Sequence, residues 1–405
     1  MNGFGKDFGP SVDLTVRIRE ILRNYPEGSS IFKEIIQNAD DAKAREVSLC
    51  VDFRRHATKS IANEKLARFQ GPALLMHNDA SFTKTDFESI RRIGGSLKQS
   101  SSKGRKVGRF GIGFNSVYHM TDLPSFVSGS KYVIFDPHTT NLDVSSSNPG
   151  RMVDHIAQPE LVEKYADQFN TMRGFGCRFD GKPYDGTLFR LPLRISSSNS
   201  RLSKKTHAPE KVLKELIEFF EETPRCVVFL KHVETIRIMK WNEGDSQPTV
   251  LYETRVKNVS SKLRQLRSAV VNAPLRSVPT TFDFELLVEM SNKSSNTEEI
   301  LRYVVANQLG GNTATKIAKT YKDMHLIPFG GAALRISNSK FGSLNGNAFV
   351  FLPIPTNTGL GSVGVNGYFE LSSNRRDVWS DSDDLAGDGA VRVVSEREYY
   401  TNNTL

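Results

Sequence analysis

The chain has 405 residues, of which 38% are hydrophobic and 24% charged, with a formal net charge of +9. That length supports two or three domains with sizeable cores, and that balance excludes a globally disordered chain. No apolar run approaches a membrane span, and the first residues lack the apolar centre of a secretory signal. Cys50, Cys177 and Cys226 form no Cys-x-x-Cys pair, which argues against a zinc site and a disulfide framework. A reducing compartment follows, the cytoplasm or the nucleus, with no membrane partner. The positive charge permits acidic partners. Its densest groups, Lys103 to Arg109 and Lys204-Lys205, carry no interleaved aromatics, which speaks against dedicated nucleic-acid recognition.

In chain order, Leu14, Ile18, Ile21 and Leu22 predict a helix near Asp13 to Asn24, ended by Tyr25-Pro26-Glu27-Gly28. Ser29 or Ser30 can cap the next helix. Its residues Ile31, Phe32, Ile35, Ile36 and Ala39 share one side, and Glu34, Asn38 and Asp41 the other. Val47 to Phe53 alternates as a strand, and a second apolar stretch, Ala73 to Met76, runs into His77-Asn78-Asp79. Gly94 to Gly108 is too polar and glycine-rich to build a core and reads as mobile. Arg109 to Tyr118 reads as a glycine-rich turn opening a helix. Strands are expected at Tyr132 to Phe135 and Thr187 to Leu193, and a surface loop or linker at Ser196 to Thr206. Val212, Leu213, Leu216, Ile217 and Phe220 mark a further helix. Cys226 to Ile238 is strand-like, as are Phe282 to Val288 and Ala348 to Leu352, whereas Glu298 to Leu309 reads as helix. The tail from Ser380 has no packing pattern; it is either disordered or the point where a longer architecture is cut.

Four pieces carry chemistry. Glu34, Asn38 and Asp41 fall at i, i+4 and i+7, within one face at about 100° per residue. Asn can ligate magnesium through its amide oxygen and Glu can draw a proton from water. The same spacing is also that of a solvated helix face. Gly108, Gly111 and Gly113 form G-x-x-G-x-G at a helix start, where backbone N–H groups favour an anion; a tight structural turn has the same pattern. Asp79, at a strand end, can accept a hydrogen bond from an adenine amine or simply form a turn. Thr187, after Gly186, can support the same base or serve as a β-branched strand residue. A Walker loop is absent, and the glycines do not open a dinucleotide-binding unit.

The order of these pieces resembles the GHKL superfamily of ATPases, named for gyrase, the ninety-kilodalton heat-shock chaperone, histidine kinases and MutL. Phe8-Gly9, Tyr25-Pro26-Glu27-Gly28, Gln37-Asn38-Ala39-Asp40-Asp41-Ala42, Asn78-Asp79, Gly364 to Phe369 and Ser372 to Trp379 are closest to its sacsin branch. The resemblance implies an α/β sandwich of the Bergerat ATP-binding fold over residues 1–206, with helices on one face of a mostly antiparallel sheet. A second α/β unit like the chaperone's middle segment would span 207–385, with a tail at 386–405. It implies ATP and Mg2+ as cofactors, Glu34 as general base and Asn38 as magnesium ligand. Asp41 would support the pocket, and Asp79 would contact adenine with Thr187 beside it. Gly108, Gly111, Gly113 and Phe114 would wrap the phosphates, under a lid at Gly94 to Arg105. Arg376 or Arg375 would reach the γ-phosphate, although a surface pair held by Asp377 fits those residues equally. The chain departs from the superfamily at Asp79-Ala80-Ser81-Phe82-Thr83, which lacks the usual glycines. The implied output is slow ATP hydrolysis coupled to chaperone or co-chaperone action on client proteins, alongside the seventy-kilodalton heat-shock system. A non-hydrolysing nucleotide-binding scaffold and a DNA-handling ATPase are the alternatives.

Overall fold

The computed structural model describes residues 13–24, 27–91, 113–196, 200–272, 277–320 and 326–368. Two helices come first, α1 (Leu14–Asn24) and α2 (Ser29–Asp41), followed by β1 (Glu46–Asp52), β2 (Ala73–Asn78) and the short α3 (Lys84–Ile90). A 3-10 helix over Gly113–His119 leads to β3 (Ser125–Gly129), β4 (Lys131–Phe135), β5 (Gly150–Asp154), α4 (Pro159–Lys164), α5 (Ala166–Asn170) and β6 (Tyr184–Pro192). Next come α6 (Pro209–Phe220), α7 (Thr223–Phe229), β7 (Thr235–Trp241), β8 (Thr249–Val256), α8 (Ser261–Ser268), β9 (Thr280–Asn292) and β10 (Thr297–Leu309). The last elements are α9 (Asn312–Thr320), β11 (Phe329–Arg335), β12 (Asn347–Val350), β13 (Leu352–Asn357) and β14 (Val363–Gly367).

Among the described residues the strands form one sheet, ordered β13-β12-β14-β11-β10-β9-β8-β7-β1-β2-β6-β3-β4-β5. Its pairings are antiparallel except β1 with β7 and β12 with β14. The expected α/β class, with helices on a mixed, mostly antiparallel sheet, is what the protein has. The sheet runs without a break across residue 206, because Glu46 to Asp52 pairs directly with Thr235 to Trp241.

Strand alternation divides the core in two. Leu49, Val51, Leu74, Met76, Ile236 and Ile238 face α1, α2, α6 and α7, with Ile18, Phe32, Ile36, Leu216 and Val227 packed among them. Their alternates Cys50, Ala73, Leu75 and Leu188 face a second cluster with Val162 of α4 and Phe169 of α5. Helices therefore cover both faces of this part of the sheet, not one. Period-2 alternation produces this division, since adjacent side chains point to opposite faces.

Two expected elements differ. The stretch 298–309 is strand, not helix: Leu301, Tyr303, Val305 and Asn307 are buried while Arg302, Val304 and Ala306 are exposed. Glu, Leu, Arg and Gln favour helix intrinsically, but β10 pairs with β9 along its whole length and with β11 from Tyr303 to Leu309, and tertiary pairing outweighs propensity. The supposed strand from Cys226 begins as α7, whose Cys226, Val227, Val228 and Phe229 are all buried. A helix apolar on every side has the same composition as a buried strand. Of the two readings for Ser196 to Thr206, the described residues fit the surface loop: Arg201, Lys204, Lys205 and Thr206 are exposed, and the loop is pinned at two points. Leu202 is buried and Ser200 Oγ donates to Asp122. The Arg194 guanidinium donates to that carboxylate and to the carbonyls of Tyr118, His119 and Thr121.

Candidate functional site

Helix α2 starts at Gly28, whose φ of 90° falls where only glycine is unstrained, so neither Ser29 nor Ser30 acts as its cap. Ile31, Phe32, Ile36 and Ala39 bury one face. The opposite strip is divided among three environments. Glu34 is buried, Asn38 is exposed, and Asp41 is turned toward the segment after α7.

The Glu34 carboxylate lies against Gly113. A Cβ built on Gly113 would sit 2.0 Å from Glu34 Oε2, so no other residue fits there without displacing the carboxylate. The sequence-predicted general base and the last glycine of the G-x-x-G-x-G run are thus in contact. The glycine begins a 3-10 helix, tighter than the expected α-turn, in which Ser116 Oγ donates to the Gly113 carbonyl at 2.7 Å. Phe114 packs into an aromatic group with Phe189 and Phe135, at 5.5 and 6.1 Å between centroids. Gly108, Gly111, the segment 94–105, Arg375 and Arg376 lie outside the described residues.

Asp79 is exposed at the end of β2, and its Oδ1 accepts the backbone N–H groups of Arg45 (2.7 Å) and Glu46 (3.0 Å). It thereby holds the loop that leaves α2. Thr187 lies beside it through the Asn78–Thr187 register pair; it is fully buried and its hydroxyl donates to the Ala80 carbonyl at 2.7 Å. Ser128 Oγ lies 2.9 Å from the same hydroxyl. Asp79 and Thr187 are therefore neighbours, with the threonine hydroxyl engaged by protein. One residue before this pair, His77 stacks on Phe175 at 5.3 Å. Burial pushes its imidazole down to about 4, against the opposing pull of Asp79 and Glu46.

Two residues at this site carried no functional reading in the sequence. Asp40 Oδ1 accepts from the backbone N–H groups of His232 (2.7 Å) and Val233 (3.1 Å), and Oδ2 from that of Lys231 (3.2 Å). Lys231 Nζ reaches Asp41 Oδ1 at 2.7 Å and Asp40 Oδ2 at 3.3 Å, above the Phe351 ring at 4.9 Å. Burial disfavours its charge, but the Asp41 and Asp40 carboxylates outweigh that and hold its pKa above the ordinary lysine value. A lysine ending the apolar run Cys226 to Leu230, and an Asp-Asp pair ending an apolar helix, were the available signals. Among the described residues no cluster of three or more His, Cys, Asp or Glu side chains could hold a metal.

A family model described as "Sacsin domain" matches residues 11–253. Human sacsin is 32% identical over 396 residues, which is 93% of this chain and 8% of that protein. The Arabidopsis thaliana protein NO VEIN is 24% identical over 147 residues, covering 36% of this chain and 5% of its own length. The chain thus spans a small part of the curated relatives it matches. Among solved structures, the N-terminal domain of a DNA repair protein is similar at 8% identity and a TM-score of 0.38, covering 97% of this chain and 99% of that one. The B-subunit of DNA gyrase from Myxococcus xanthus is similar at 9% identity and a TM-score of 0.31, covering 92% and 88%. At those scores neither likeness bears on function. No described helix is long and apolar enough to cross a membrane.

Replacing Lys231 with Met leaves two carboxylates buried without their cation and should cost about 3–5 kcal/mol in urea unfolding. Adding Asp41→Asn should recover part of that loss; equal stability of Lys231→Met and wild type would contradict the geometry. His77 makes a pH-dependent contribution. Its folded value of about 4 lies below the ordinary 6.5, so between these pH values the unfolded chain takes up a proton that the folded one refuses. Stability should fall as pH drops from 6.5 to 4, and His77→Phe should flatten that slope.

Proposed function

The chain belongs to the Sacsin domain family, and from that membership we propose that it is an ATP-binding chaperone-type module that hydrolyses ATP slowly with magnesium. The observation that carries the reading is the contact of Glu34 with Gly113, since it joins a carboxylate able to activate water with a glycine turn suited to phosphate oxygens. Asn38, one turn along α2 and open to solvent, would offer its amide oxygen to magnesium. That cation keeps several waters and takes its other ligands from phosphates, so one protein amide is enough. A phosphate would face the Glu34 carboxylate at Gly113, and Gly108 and Gly111 would add further phosphate contacts. Asp79 would meet the adenine amine through Oδ2, because Oδ1 already holds the α2–β1 loop. Thr187 fixes the backbone beside it, at Ala80. Asp41 would act through the position of α2, given its bond to Lys231. Arg376 is proposed as the γ-phosphate contact. Bound magnesium would neutralise phosphate charge and orient the γ-phosphate. Client proteins and the seventy-kilodalton heat-shock system would be the module's partners, in the cytoplasm. Residues 1–206 and 207–385 would be its two functional units.

A second reading, a nucleotide-binding scaffold without turnover, is favoured by the commitment of Asp41 to Lys231 and of one Asp79 oxygen to backbone. Calorimetric titration of magnesium ATP followed by phosphate release separates the two. Glu34→Gln should bind ATP as wild type does while phosphate release falls by roughly 100-fold or more. Binding without release in either protein would establish the scaffold, and absence of binding by wild type would overturn both.

A further inference from the structure

Three buried side chains that line a cavity without Glu34 carry polar atoms that no group among the described residues satisfies. Arg267 Nε on α8, Asn307 Oδ1 on β10 and Asn366 Nδ2 on β14 have no hydrogen-bond partner, in residues 6%, 8% and 1% exposed. All three residues line one cavity of about 20 Å³, whose walls include Phe229, Phe329 and Phe351.

Strand register brings the two asparagines together. Asn307 is opposite Gly331 on β11, and Gly331 is opposite Asn366, so the three form one row across the sheet. A Cβ at Gly331 would lie 2.6 Å from Asn307 Oδ1 and 3.2 Å from the Phe229 ring, so only glycine lets the carboxamide lean inward there. Two neighbouring polar atoms of these side chains are already committed. Asn366 Oδ1 accepts the Phe351 N–H at 2.8 Å, which leaves its NH2 as the unsatisfied end. Arg267 Nη2 donates to the carbonyls of Val233 (2.8 Å) and Val227 (3.1 Å), which leaves Nε–H.

We propose that this cavity is a built site for one water molecule, which accepts hydrogen bonds from Arg267 Nε–H and Asn366 Nδ2–H and donates one to Asn307 Oδ1. Size and polarity select that guest. A water needs about 10–15 Å³ of such space and typically makes about three hydrogen bonds when buried. A halide could take the two donors but would face the Asn307 oxygen without a proton to give it, and a metal cation would face two N–H donors. Burying all three groups unsatisfied would be costly, whereas one water answers two donors and an acceptor at once. The bridge joins α8 to β10 and β14, and through the Phe351 N–H it stands one hydrogen bond from the ring beneath Lys231. It does not depend on nucleotide binding.

The test is a crystal structure of the full chain at a resolution that shows other buried waters, with a second crystal soaked in bromide. A single-atom peak within hydrogen-bond distance of the three atoms, without anomalous signal after the soak, is the expected result. In Asn366→Leu the peak should be lost. A wild-type map with no peak, an anomalous bromide peak, or density of several joined atoms would each overturn the proposal. The wild-type map decides by itself if the variant fails to fold.

Discussion

The arrangement depends on how the C-terminal end of α2 is neutralised. A helix C terminus already carries partial negative charge, and two aspartates there make it worse. Asp40 and Asp41 are tolerated because Lys231 and the N–H groups of residues 231–233 meet them from the segment between α7 and β7. That segment leads into the strand paired parallel with β1, so the ion cluster ties the helix to the centre of the sheet. With its end held, α2 delivers Glu34, about two turns upstream, to Gly113. Asp79 holds the loop leaving the same helix from the other side, through Arg45 and Glu46. A locally unfavourable pair of charges thus becomes the anchor of the candidate site.

Much of this was legible in the residues, wherever one physical signal acted alone. The 3.6-residue period of Ile31, Phe32, Ile36 and Ala39 predicts α2, alternation predicts β1, and an apolar run predicts β2. The closeness of Glu34 and Gly113 followed from resemblance rather than from spacing. Where two signals compete, the residues mislead. In β10 helix-forming side chains occupy a strand whose exposed Val304 hides the alternation. In α7 burial on all sides erases the helical period. Lys231 could not be assigned from sequence, because its value lies in carboxylates 190 and 191 positions away. The Arg194 hub was hidden for the same reason: a guanidinium binding carbonyls leaves no sequence pattern.

Lys231 also ties α2 to the far edge of the sheet. It touches the helix and rests on Phe351, which stands at the turn between β12 and β13, and β13 is the edge strand. The matched region is 8% of the length of human sacsin.

If the Glu34–Gly113 contact marks the phosphate end of a nucleotide site, a crystal structure with magnesium and a non-hydrolysable ATP analogue will place the terminal phosphate beside Gly113 with Glu34 facing it, and the Asn38 amide oxygen on the metal. Analogue density elsewhere, with Glu34 unchanged against the glycine, would rule that site out.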